Sequence, residues 1–148
     1  NSNWKDFNHG LISDLGSHLL DLYYFLFNKK LNKLKIVVKN TYENKFPDHI
    51  IFKNEDTNNF VNFEITYCMW KNDFTLDLFS KNYTCHINTL VKWGVSNFQT
   101  RKRIYPSGLP KIENKYFNGI DPTWKLEHRY FFNLIKKSND FSNLRKDI

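Results

Sequence analysis

Apolar residues recur at helical spacing between Leu11 and Phe27, with Leu11, Leu15, Leu19, Leu22 and Leu26 as a spine and Tyr23, Phe25 and Phe27 widening it. The stretch opens after His9-Gly10, ends in Asn28-Lys29-Lys30 and has few β-branched residues, which predicts a mostly buried helix of about four to five turns. From Leu34 to Tyr105 the period changes to two, as strands with one face on a core require. The predicted strands are Leu34 to Tyr42, His49 to Lys53, Phe60 to Tyr67, Phe74 to Phe79, Tyr83 to Leu90 and Phe98 to Tyr105. Phe74, Leu76 and Leu78 share one face, opposite Thr75, Asp77 and Phe79; Val61, Phe63, Ile65 and Tyr67 likewise oppose Asn62, Glu64 and Thr66. Connections as short as Glu55 to Asn59, Lys71-Asn72 and Lys81-Asn82 favour antiparallel hairpins over helical crossovers. Pro106-Ser107-Gly108-Leu109-Pro110 begins a breaker-rich loop, and Asp121 as N-cap with Pro122 at the first helical position starts a second helix. That helix is expected to reach Lys137 with Leu126, Tyr130, Phe131 and Leu134 facing inward, followed by a polar tail. The order predicts an α+β fold, a two-layer arrangement of a mainly antiparallel open sheet of about six strands with helices on one face.

A chain of 148 residues is enough for one ordinary domain, taken as 1–148. With 41% hydrophobic and 18% aromatic residues it is no disordered tail. No run approaches the roughly 20 apolar residues of a membrane span, so a soluble protein with no membrane partner is expected. The net charge of +7 is carried by 18 Lys against 4 Arg, in a chain with 20 Asn and no Ala. That composition fits an AT-rich genome better than phosphate recognition, where Arg is favoured, so no nucleic-acid partner is expected. Cys68 and Cys85 form neither a disulfide framework nor a Cys-x-x-Cys pair, which fits a reducing cytoplasm. No secretory signal is visible, and the chain starts at Asn1 with Met69 as its one methionine, so a fragment or one half of a complex is the expectation.

The chemistry concentrates in the first helix. Asp14, His18 and Asp21 fall at i, i+4 and i+7, a polar stripe on an otherwise apolar element. A carboxylate one turn before an imidazole can accept its N–H, set the tautomer and stabilise the imidazolium that forms when the other nitrogen takes a proton, as a general base requires. The same spacing also describes a solvated surface pair. Gly16 between them lowers helix propensity by about 1 kcal/mol relative to Ala and points to close approach of another group or of a packed neighbour. Asp21 reads as structural. His49, His86 and His128 lie on separate elements without ligand-like spacing, so no metal is expected. Arg101 heads the basic run Arg101-Lys102-Arg103, which suits either a substrate phosphate, as in a nucleotide-linked sugar, or a solvated strand end.

The run Gly10-x-x-x-Asp14-x-Gly16-x-His18-x-x-Asp21 resembles the start of the C-terminal domain in the glucose-fructose oxidoreductase and inositol dehydrogenase family of NAD(P)-dependent enzymes. Trp4 upstream, the Leu-rich helix, the run of strands and Asp121-x-x-Trp124-x-x-Glu127-x-x-x-Phe131 near the end agree, over about residues 3 to 137. His9 departs from the second Gly of many members. The resemblance implies a partner Rossmann domain that binds NAD or NADP and carries the catalytic Lys, while this chain supplies the substrate site. His18 would exchange the proton of a substrate hydroxyl as hydride passes to or from nicotinamide, and Asp14 would orient His18 or touch substrate. Trp4 and Lys5 would lie near the cleft mouth, Trp4 packing on a sugar ring or anchoring the chain and Lys5 meeting an anionic group. Lacking Gly-x-Gly-x-x-Gly, the chain alone is expected to be inactive and to bind little dinucleotide. Family members commonly associate through the open sheet face, and Phe79 on the alternate side suits a homo-oligomer. The alternatives are a basic nucleic-acid-binding module using Lys29 to Lys39 and the Arg101 run, and a non-catalytic assembly subunit of the same family.

Overall fold

Strict alternation of apolar and polar residues produces strands here, and short polar connections fold them into antiparallel ladders. The computed structural model describes residues 10–56 and 59–136. They form two compact units divided after Lys71. Predictions for Trp4, Lys5 and the tail beyond Lys137 lie outside the described residues.

In the first unit a π-helical turn, Ile12–Gly16, runs into helix α1 (Ser17–Phe27), followed by β1 (Leu34–Asn40), β2 (His49–Asn54) and β3 (Asn62–Thr66). The strands form one antiparallel sheet in the order β1-β2-β3. Ile50 and Phe52 from β2, with Phe63 and Ile65 from β3, are buried against Leu11 and Tyr23 of the helical segment. Phe52 and Phe63, cross-strand partners, stack with ring centroids 4.8 Å apart. Each such side chain, fully buried, stabilises the fold by about 1.5–3 kcal/mol. Helix α1 ends where Asn28 turns left-handed (φ 50°) and its N–H returns to the Tyr24 carbonyl at 2.7 Å. The helix is less buried than its composition predicts. Tyr23 is its one buried residue, and Phe25 is 79% exposed. The apolar residues encircle the helix, and a single sheet covers one side.

The β1–β2 connection closes on Asp48, whose side chain is fully buried. Its carboxylate accepts the backbone N–H groups of Tyr42, Glu43 and Asn44 at 2.7 to 3.2 Å. Its carbonyl accepts the Tyr67 N–H at 2.8 Å and the Thr66 hydroxyl at 3.0 Å. One residue thus ties the loop, the start of β2 and the end of β3.

The second unit holds β4 (Thr75–Phe79), β5 (Tyr83–Asn88), a short 3-10 turn (Val91–Trp93), β6 (Ser96–Ile104), β7 (Gly108–Phe117) and α2 (Thr123–Lys136). Its strands pair antiparallel in sequence order. The α+β class and the antiparallel pairing are therefore as expected, but among the described residues seven strands in sheets of three and four replace the single sheet of about six. Between β3 and β4 local side chains take the backbone N–H groups: the Thr66 hydroxyl accepts that of Cys68, and the Asp73 carboxylate that of Phe74. Strand β7 occupies what reads as a breaker loop. It pairs on one side only, with β6, and Pro110 falls opposite the register shift between Lys102 and Ile104, where a missing N–H is tolerated. Helix α2 begins as predicted, with the Thr123 N–H donated to Asp121 at 3.0 Å, yet Leu126, Tyr130 and Phe131 are exposed and only Leu134 is half-buried.

Burial raises the pKa of the Asp48 carboxyl, but the N–H groups of Glu43, Tyr42 and Asn44 together outweigh it and hold the group below its usual value of 3.8. Ionised Asp48 therefore stabilises the fold above that value, and the contribution is lost as pH falls through the lower folded pKa. Asp48→Asn is expected to lower stability by about 1–3 kcal/mol at neutral pH, because an amide nitrogen is turned toward donors. Urea unfolding followed from neutral pH into acid should show a smaller loss on acidification in the variant than in the parent.

Candidate functional site

The site is built on the π-helical turn. There the Ser17 N–H reaches back five residues to the Ile12 carbonyl, and the Ser17 hydroxyl satisfies the Asp14 carbonyl at 2.7 Å. Such turns are rare and frequently mark functional positions in helices. Gly16 lets this one lie close to the sheet. A Cβ at Gly16 would stand 3.2 Å from Ile12 Cγ2 and 3.6 Å from Ile65 Cδ1, so the packed neighbours that its sequence position suggests are Ile12 and β3.

The structure gives Asp14 a partner the spacing does not reveal. The Tyr67 hydroxyl, just past β3, donates to Asp14 Oδ2 at 2.6 Å in a half-buried setting. Burial first, then the hydrogen bond and the negative charge of Asp14, push the Tyr67 phenol well above its usual 10.0. His18, on the first turn of α1, is exposed, and no hydrogen bond joins it to Asp14. Asp21 is also exposed. The stripe is therefore one carboxylate anchored to the sheet and, one turn later, an imidazole open to solvent. Tyr67 reads as a core aromatic in sequence. Its inward phase in the alternation of β3 was the available signal, since that phase turns it toward the helical segment.

Arg101 belongs to the second unit. It lies on β6, where the register sets Asp77, His86, Gln99 and Asn114 side by side across β4, β5, β6 and β7. His86 Nδ1 bonds Asp77 Oδ1, Gln99 Nε2 donates to Asn114 Oδ1 at 2.9 Å, and Arg101 Nε donates to Gln99 Oε1 at 2.6 Å. The guanidinium is thus partly committed to this polar row. Phe79 is on the same face, 74% exposed, with its ring nearly perpendicular to that of His86.

A dinucleotide does not fit the residues described. No glycine-rich strand-to-helix turn is present, and the start of α2, which follows β7, already holds the Asp121 carboxylate, whose charge opposes a phosphate. The Thr123 N–H, its hydrogen-bond partner, keeps the Asp121 carboxyl below its usual pKa and so ionised.

Gly16→Ala should stay within about 1 kcal/mol of the parent in thermal unfolding, the gain in helix propensity offsetting contact with the exposed and movable Ile12 side chain. Gly16→Leu, which must displace Ile65, should lose about 1–3 kcal/mol. The raised Tyr67 pKa stabilises the fold fully below the unfolded phenol value, and that contribution is lost as pH rises through 10.0 toward the higher folded value. In alkaline unfolding, Asp14→Asn should therefore lose less stability than the parent between neutral pH and pH 11, roughly. The chain matches no family model, no curated protein and no solved structure, so its own geometry carries the functional reading.

Proposed function

We propose that the chain is the substrate-binding and catalytic part of an NAD(P)-dependent oxidoreductase of the glucose-fructose oxidoreductase and inositol dehydrogenase family, acting on a hydroxyl or keto group of a sugar, nucleotide sugar or polyol. The observation that carries this reading is the π-helical turn that presents Asp14, anchored by Tyr67, one turn from the exposed His18. An imidazole open to solvent beside a fixed carboxylate suits removal of a proton from a bound hydroxyl and its return to a carbonyl oxygen. In this reading His18 moves the proton, and Asp14 uses its remaining acceptor capacity on the substrate. The cofactor, NAD or NADP, supplies hydride chemistry and is held by another domain, because the residues described here do not cradle it.

Arg101, with part of its guanidinium free, is the proposed contact for an anionic substrate group. Trp4 and Lys5 keep the substrate-contact roles that the resemblance implies. The antiparallel sheets with helices, the exposed Phe79 and the polar row beside it support association of copies through a sheet face. No helix among the described residues is long and apolar enough to cross a membrane. Two free thiols, Cys68 and Cys85, suit a cytoplasmic setting.

The test joins this chain to the dinucleotide-binding domain that the reading requires and measures NAD(P)-linked oxidation across sugars, inositols and nucleotide sugars. His18→Ala should lower kcat/KM on the accepted substrate by about 10²–10⁴-fold. Full activity in the variant removes His18 as the base, and inactivity of the parent on every substrate removes the reading as a whole.

A further inference from the structure

We infer that Tyr67 is a positioning residue that decides the partner of Asp14: by binding this carboxylate it keeps Asp14 from pairing with His18. The inference rests on the reading of His18 as the base and adds to it a residue 53 positions along the chain from Asp14.

The geometry is specific. A carboxylate only accepts, so the phenol donates, and at 2.6 Å the bond has the short length of a hydroxyl bound to a charged oxygen. The phenol has a rigid support, since the backbone N–H of Tyr67 is bonded to the carbonyl of the buried Asp48 at 2.8 Å. Asp14 and His18 are one turn apart, the separation at which a carboxylate and an imidazole ordinarily pair on a helix, yet they do not pair here. Asp21, three residues beyond His18 on α1, is exposed, and β3 presents the Tyr67 phenol to the turn.

The consequence follows from charge. A carboxylate bonded to an imidazole favours the imidazolium, so pairing with Asp14 would raise the pH at which the His18 ring becomes free to take a proton. A base must start neutral. Tyr67 holds Asp14 toward the sheet and offers it a neutral donor, so the carboxylate is satisfied without pairing with the ring. Tyr67 thereby acts through Asp14 and His18 and touches no reacting atom.

The test follows the His18 ring protons by NMR across the neutral pH range in this chain, assigned through a His18→Gln variant. In Tyr67→Phe, Asp14 is released to turn toward His18, and the titration curve should move to higher pH. In the Tyr67→Phe, Asp14→Asn double variant that displacement should vanish, since the amide carries no charge. A curve unmoved in Tyr67→Phe, or a displacement that persists in the double variant, overturns the inference. Asp14→Asn alone keeps it testable if Tyr67→Phe fails to fold: loss of a nearby, unbonded charge should move the His18 curve to lower pH by no more than about half a unit, and a larger move would show that Asp14 already pairs with His18 and overturn the inference. In the protein joined to its dinucleotide domain, the acidic limb of the kcat/KM profile should move upward in Tyr67→Phe, a one-unit move lowering kcat/KM about tenfold on that limb. A purely structural role predicts an equal loss at all pH values, and that result also overturns the inference. An inactive joined parent would remove the proposed function while the NMR result still judged the role of Tyr67.

Discussion

The first unit depends on one buried carboxylate. Asp48 is surrounded by the loop it closes, and its charge is tolerable there because the N–H groups of Tyr42, Glu43 and Asn44 point at it. Its carbonyl meanwhile holds the Thr66 hydroxyl and the Tyr67 N–H, which sets where β3 ends. An unpartnered charge in that position would be expelled to solvent, and the loop and the end of β3 would lose their common anchor.

From Asp48 a chain of contacts leads to the site. It fixes the Tyr67 backbone, Tyr67 fixes the Asp14 carboxylate, and Ile65 of the same strand bears on Gly16 inside the π-helical turn. The turn is one residue wider than an α-helical one, and its backbone is completed by the Ser17 hydroxyl. The result is a carboxylate fixed to the sheet one turn from an exposed imidazole, an arrangement that suits the proposed proton transfer.

Residue types and spacing were enough to single out the candidates on the first helix. Asp14 and His18 declare themselves by spacing on an apolar helix, and Gly16 by its low helix propensity. Tyr67 was not readable, because a tyrosine in phase with a core face is equally a packing residue and a hydrogen-bond donor. The choice depends on whether an acceptor stands opposite, and that acceptor is 53 residues away. The π-helical turn was hidden for a similar reason. Its apolar periodicity is nearly that of an α-helix, and the extra residue is accommodated by contact with β3.

Alternation along the chain was sufficient to determine six of the strands, their antiparallel pairing and the inward faces of β3 and β4, because the two-residue period and short polar connections are local properties. Caps at Asn28 and Asp121 likewise bound the helices through local hydrogen bonds. Tertiary structure alone decided that the strands divide into two sheets and that Gly108–Phe117 is a strand. It also decided that Asp14 belongs to Tyr67 and not to His18. A ladder's end depends on which acceptor captures the next N–H. An edge strand takes its conformation from a neighbour and needs no apolar face of its own. A carboxylate takes the donor that the fold brings within reach, and none of these three is written in the spacing of nearby residues.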